Sequence, residues 1–314
     1  MTDTFAAAHF RDDAAARKLI EGIRWPSGPV CPYCGVINHA YPIKKAGWFR
    51  CAEKACRKDF TVTMGTVMER SHIPLHKWVI GFYLINSSKK GISAHQLHRT
   101  LGIRYQSAWF MCHRIREAMR SGGLAPLGGS GKVVEADETY YGPVDKSKRR
   151  TRTTSGRPFT KKGTHGPANK RPIVALVERG GNVRTFHVPV ANQSMVQAIC
   201  KQNIGRESRL HTDESRLYFG ADEIFASHET VKHTADEYVR GDVTTNTVEG
   251  YFSIFKRGMR GIYQHCGEKH LHRYLAEFDH RYNHRVALGY SDLDRTFAAI
   301  KGAGGKRLTY RQPH

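Results

Sequence analysis

The sequence predicts an α/β chain: a small cysteine-bearing module and a helical hairpin, followed by a larger domain of strands and helices. Three observations lead there. Four of the seven cysteines sit in two close pairs near the N-terminus. The segment after them carries helical periodicity on both sides of Gly102. Beyond a glycine-rich stretch the pattern turns to short β-branched runs, "KVVEADETYYG", "RPIVALVERG" and "NVRTFHVPV", before helical spacing returns over residues 245–284. The 314 residues, 39% of them apolar, suffice for two domains plus a small module.

Residues 1–27 form an N-terminal helical region, rich in alanine over 4–22. Residues 28–69 carry aromatic and β-branched residues broken by Pro and Gly, the signature of short hairpins. Residues 70–120 open with the helical "LHKWVIGFY" and continue into the hairpin "SAHQLHRTLGIRYQSAWFMCHRIREAM". Glycines make residues 121–131 a linker. Residues 132–300 make the larger domain, with "SMVQAICKQNI" as a helix and "SRLHTDES" as a strand. Between its first two strands "KSKRRTRTTSGRPFTKKGTHGPANKR" is basic and nearly free of large apolar groups, so it reads as a mobile loop. Residues 301–314 read as a disordered basic tail.

Lys plus Arg number 50 against 28 Asp plus Glu, a formal charge of +22. That excess points to a polyanionic partner, nucleic acid before any other, with a generally basic soluble protein as the bland alternative. No run of 18 apolar residues exists, so no transmembrane helix is expected. The N-terminus carries acids and lacks a continuous apolar stretch, so it is not read as a secretory signal. The chain is expected in the cytoplasm, with its cysteines reduced unless they hold metal.

Cys31 and Cys34 form a C-x2-C pair, and Cys51 and Cys56 a C-x4-C pair. Two such knuckles match a tetrahedral structural Zn²⁺ site with all four positions filled by thiolates. A module this small buries little apolar surface, so the metal would supply much of its folding free energy. Cys112, Cys200 and Cys266 are isolated and read as packing residues.

In the hairpin, Ser93 can cap the first helix, Leu97 and Leu101 share a face, and Gly102 suits the turn. Ala108, Phe110 or Met111, and Ile115 point the second helix toward the core. Arg104, Gln106, Ser107, His113, Arg114 and Arg116 form its other face, of a kind that suits phosphate and base-edge contact in a groove. A helical pair that merely packs is the alternative.

The acids fall at chosen points. Strand alternation in "VVEADETY" sets Glu135, Asp137 and Thr139 on one face and Val134 and Ala136 on the other. Asp213 ends the strand pattern "LHTD". Each alone could be a surface or turn acid. In "NTVEGYFSIFKRG", at about 100° per residue, Asn246, Glu249, Ser253 and Lys256 fall on one stripe, and Val248, Tyr251, Phe252, Phe255 and Met259 on the opposite one. One face buries aromatics; the other offers an amide, a carboxylate, a hydroxyl and an ammonium, or simply a solvated surface.

At these residues the chain resembles a known family. "CPYCG", "FTVTMGT", "EADETYYG", "HTDES", "NTVEGYFSIFKRGMRGIY" and "HRYLAEFDHRYNHR" are similar to the DDE-type transposases of bacterial insertion sequences, in the ISXO-like group with an N-terminal zinc ribbon. The similarity runs in order over nearly the whole chain. It implies a ribonuclease-H-like catalytic domain, a mixed five-stranded sheet flanked by helices, preceded by the zinc ribbon; the hairpin between them is read from its own residues as a DNA-binding helix-turn-helix. It implies Asp137 as the first acid, Asp213 as the second after the fourth strand, and Glu249 as the third, with Lys256 as its basic companion. Asn246 competes with Glu249, because some members of the group use an Asn there and both separations from Asp213 suit the family. Glu249 is preferred, since a carboxylate binds a hard cation better than an amide does.

Carried over, the resemblance implies catalytic Mg²⁺ or Mn²⁺ on Asp137, Asp213 and Glu249, and double-stranded DNA, element ends and target, as partner. DNA contacts are expected from Arg104, Gln106, Arg114 and Arg116, from Lys148, Arg149 and Arg150 with Lys161 and Lys162 in the loop, and from Lys256 and Arg257. A dimer or higher assembly on DNA follows from the need to join two ends. Two rivals remain: a metal-dependent nuclease on the same fold, and a zinc-ribbon DNA-binding protein without catalysis.

Overall fold

The computed structural model describes residues 4–122, 124–145 and 169–309. The chain divides into two compact units, Met1–Ser121 with Gly289–His314, and Gly122–Leu288.

The first unit opens with two short 3₁₀ turns and then helix α1, Asp13–Arg24. The helix expected from residue 4 therefore starts later, because the Asp12 carboxylate caps it by accepting from Ala15 N at 2.7 Å. Strands β1 (Ala40–Pro42), β2 (Phe49–Cys51) and β3 (Asp59–Phe60) form an antiparallel sheet of three. Helices α2 (Leu75–Ser87), α3 (Ala94–Leu101) and α4 (Tyr105–Met119) follow. Ser93 caps α3 through Gln96 N, and Gly102 closes it in the left-handed region at φ 58°, as the residue types predict. Met111, not Phe110, goes into the core beside Ala108 and Ile115.

The final helix, Asp292–Lys301, was expected with the larger domain, yet it belongs to this first unit. Its Ala299 and Ile300 join Ile20, Phe82, Ile85 and Ile115 in one core. The chain just beyond it is held as well: Gly305 N donates to Gly65 O at 2.9 Å, and Lys306 Nζ to Ala118 O at 2.8 Å. The part of the expected disordered tail that is described, residues 301–309, is thus tied down by backbone partners far away in sequence.

The second unit is built on one sheet. Strands β4 (Val133–Pro143), β5 (Lys170–Glu178), β6 (Val183–His187), β7 (Arg209–Asp213) and β8 (Ser227–Val231) take the order β6-β5-β4-β7-β8. The β4–β5 and β5–β6 pairs are antiparallel, and β4–β7 and β7–β8 parallel, so the sheet is mixed. Helix α5 (Gln193–Asn203) covers one face, where Val196, Ile199 and Cys200 meet Val134, Ala136, Val174 and Leu176. Helices α6 (Asn246–Gly258) and α7 (Leu271–Asn283) supply Val248, Tyr251, Phe255, Leu275 and Phe278 to the other face, against Ile173, Ala175 and Val177. A small hairpin, β9 (Val239–Arg240) with β10 (Val243–Thr244), stands between β8 and α6.

The glycine-rich stretch read as a linker is pinned to this unit. Leu127 is buried, its N–H donates to Asn203 O at 2.7 Å, and Gly129 N donates to Ser208 Oγ at 2.8 Å. Among the described residues no helix is long and apolar enough to cross a membrane.

Candidate active site

The cysteine module is the simpler of two sites. The Sγ atoms of Cys31, Cys34, Cys51 and Cys56 lie within 4.8 Å of one another. Cys31 and Cys56 stand 3.7 Å apart and Cys34 and Cys51 3.6 Å. A tetrahedron with Zn–S bonds of about 2.3 Å has S···S edges of about 3.8 Å, so the four thiols fit that ion.

The acids assemble on the face of β4 that α6 covers. Glu135 pairs with His211 across the parallel β4–β7 ladder. Asp137 and Asp213 each lie two residues further on, so both leave that same face, Asp137 from within β4 and Asp213 from the end of β7. Helix α6 brings Glu249 to them. Asp137, Glu138, Thr139, Glu249, Ser253, Lys256, Arg257 and Arg260 line one cavity of about 750 Å³.

Electrostatics report the convergence. Burial, with the charges of Glu138, Asp213 and Glu249, pushes the Asp137 carboxyl up to about 8. Burial also raises Asp213, with Glu249 among the charges acting on it. Lys256 is lowered by burial, and the Asp137 carboxylate works against that shift. Glu249 Oε1 accepts from Thr245 Oγ1 at 2.8 Å and stands 3.4 Å from His233 Nε2. Among the described residues only the cysteines bring their ligand atoms within 4.8 Å of one another, so the three carboxylates are set more loosely than the thiols. A cluster of carboxylates that repel one another in a half-buried cleft is a donor set that fits a hard divalent cation.

Asn246 is exposed, near the start of α6, and is not among the residues lining the cavity; Glu249 is. Arg257 lines it too and donates to Ser253 Oγ at 3.2 Å. Arg260 reaches the same cavity from the π-helical turn Met259–Tyr263. On the helical hairpin, Arg104 and Gln106 are exposed. His113 and Arg116 are buried and Arg114 is half-buried with its guanidinium on Glu69 O, so the groove-facing set expected there shrinks to its N-terminal end. Packing on α4 was broader than helical spacing alone implied. Lys148, Arg149, Arg150, Lys161 and Lys162 lie outside the described residues.

Two features escaped the sequence reading. Strand β8, "SHETV", is a polar edge strand with no apolar run to announce it. Glu135 was placed on the Asp137 face but given no role, and only its partners, described below, reveal one.

A mixed sheet of this order with helices on both faces, preceded by a four-cysteine ribbon, defines a ribonuclease-H-like protein with a zinc ribbon. The chain belongs to the ISXO2-like transposase family, whose domain matches residues 126–283, and the transposase zinc-ribbon domain matches residues 11–59. It is 28% identical over 263 residues, 81% of this chain and 86% of its relative, to a Halobacterium salinarum protein described as an uncharacterized protein in transposable element ISH50. A solved chain of the simian T-cell lymphotropic virus intasome in complex with PP2A regulatory subunit B56 gamma overlaps it at a TM-score of 0.27 and 13% identity. That overlap covers 58% of this chain and 63% of the solved one.

Proposed function

We propose that this transposase cuts DNA at the ends of an insertion sequence and joins those ends to target DNA, with Asp137, Asp213 and Glu249 as the acids that hold divalent cations. The observation that carries this reading is the raising of the Asp137 carboxyl by burial and by the charges of Glu138, Asp213 and Glu249, beside a cavity walled by Lys256, Arg257 and Arg260. Mg²⁺ or Mn²⁺ held there would polarise the attacking and leaving oxygens of an in-line displacement at phosphorus. Lys256 and Arg257 neutralise backbone phosphates beside the acids and keep the strand in register with them. Arg260 extends that cationic wall. Glu249 is preferred to Asn246 as third acid because it faces the cavity.

Arg104 and Gln106, exposed at the start of the second hairpin helix, contact the inverted repeats together with the zinc ribbon. The same chain must act on two ends, so the working form is a dimer or higher assembly on DNA in the cytoplasm.

The test is to incubate the purified chain with Mg²⁺ or Mn²⁺ and a duplex carrying the flanking inverted repeats. Nicked ends and joined products are expected. Asp137→Asn and Asp213→Asn should abolish both while leaving DNA binding intact. Nicks without joining would reduce the activity to that of a nuclease; unchanged cutting in either variant would remove the acids from the chemistry.

A further inference from the structure

We propose that Glu135 is a positioning residue: it clamps the N-terminus of α6, and so Glu249, to the strand that carries Asp137. This inference rests on the acid-centre reading above. Glu135 is fully buried, two residues before Asp137 on the same face of β4. Its Oε2 accepts from the backbone N–H of Thr247 at 2.8 Å and of Val248 at 3.0 Å. Its Oε1 accepts from Thr247 Oγ1 at 2.8 Å. Two of the free N–H groups that every helix start presents are thereby satisfied by a carboxylate from another element, at the end where the helix dipole favours negative charge.

The other side of Glu135 is locked too. Arg179 donates to Oε1 through Nε at 3.1 Å and Nη2 at 2.8 Å. The same guanidinium donates to Asp242 O at 2.9 Å and Thr244 O at 3.3 Å, in the chain that leads into α6. One half-buried ion pair therefore ties β4, the residue just after β5 and the approach to α6 together next to the acids. A purely structural cap is ordinarily a Ser, Thr, Asp or Asn supplied by the residue just before the helix. Here Thr245, the residue before the helix, makes no side-chain cap, and its hydroxyl donates to Glu249 instead. The capping work is transferred to Glu135, and the spacing between the first and third acids is set by it.

Every acceptor position on Glu135 meets a donor, so Glu135→Gln must turn its amide N–H₂ against either the helix N–H groups or the guanidinium. The experiment measures Mn²⁺ binding to the full-length chain by the electron paramagnetic resonance signal of free Mn²⁺, with duplex binding in chelator and far-ultraviolet circular dichroism alongside. Glu135→Gln should weaken Mn²⁺ binding by about 10-fold or more, the range seen when an outer-shell partner is lost, and lower kcat for cutting with KM for DNA unchanged. Thr247→Val, which deletes one bond from the helix side, should weaken Mn²⁺ binding in the same direction by a smaller factor and serves if Glu135→Gln does not fold. Asp137→Asn is the control for the acid centre. If it loses Mn²⁺ binding while folded Glu135→Gln or Thr247→Val keeps wild-type affinity, Glu135 is structural only and the proposal falls. If Asp137→Asn itself binds Mn²⁺ normally, the acid centre fails and takes the proposal with it.

Discussion

Asp137 and Asp213 each stand two residues past the Glu135–His211 pair of the parallel β4–β7 ladder, so two acids 76 positions apart in sequence leave one sheet face side by side. Neighbouring strands are about 4.8 Å apart. At that spacing, in a half-buried cleft, the Asp213 carboxylate adds to burial and to Glu138 in pushing the Asp137 carboxyl up.

A pH dependence follows. Asp137 moves from 3.8 to about 8 on folding, because burial and its acidic neighbours disfavour the charge. A raised folded value means the folded state binds the proton more tightly than the unfolded chain. Its contribution to stability is therefore complete below about pH 4 and is lost as pH rises through about 8. In chelator the thermal midpoint should fall across that window, Asp137→Asn should flatten the fall, and Mn²⁺ should oppose it. Calorimetry in matched buffers checks this; an equally steep fall in the variant would count against the assignment.

The third acid can be decided by comparing Glu249→Gln with Asn246→Ala. Loss of a direct ligand should cost more than the roughly 10–100-fold typical of an outer-shell partner, so Glu249→Gln should depress cutting beyond that range. Asn246→Ala, at an exposed position away from the cavity, should stay well inside it. Single-turnover cleavage at saturating Mn²⁺ gives the ratio, and the reverse order would reassign the ligand.

Metal analysis should return one zinc per chain. Cys51→Ser removes a buried thiol from the four-sulfur cluster and should release that zinc. Structural zinc is worth about 10–16 kcal/mol in small zinc-finger peptides, so the ribbon should lose its protease resistance as well. Full zinc content in the variant would show that the four cysteines are not the ligand set.

Gly302→Ala tests the assignment of the last helix to the first unit. A Cβ at Gly302 would come within 2.5 Å of the Ala118 carbonyl oxygen, a backbone atom that cannot swing aside. The substitution should cost about 1–3 kcal/mol, the usual price of overpacking. Urea denaturation followed by tryptophan fluorescence reads it out, and no shift in midpoint would mean that the helix end does not pack there.

DNA binding should weaken steeply with salt, as expected for a chain of net charge +22 that neutralises phosphates. Arg104→Ala should shallow the slope of log K against log salt by about 1 if that residue contacts one phosphate, a quantity that filter binding across a salt series measures. An unchanged slope would take Arg104 off the DNA.

Much of this was readable in advance. The cysteine spacing announced the ribbon, strand alternation put Glu135, Asp137 and Thr139 on one face, and helical spacing separated the aromatic side of α6 from the side bearing Glu249 and Lys256. Gly-rich residues 121–131 and the chain just after residue 301 misled, because loop composition says nothing about which distant carbonyls and N–H groups will receive them. Arg116 and His113 misled for the same reason: a helix with two apolar neighbours hides more of its surface than a one-sided stripe suggests.

The sequence by itself determined the local chemistry: which residues alternate, which cap, which could hold metal, and how much positive charge surrounds them. Those properties depend on neighbours a few positions away. Only the tertiary structure decided that Glu135 takes over the cap of a helix more than a hundred residues later, and that the last helix returns to the N-terminal core. Each is a contact between parts of the chain whose separation carries no period, so it exists only once the sheet order and the helix packing bring those parts together.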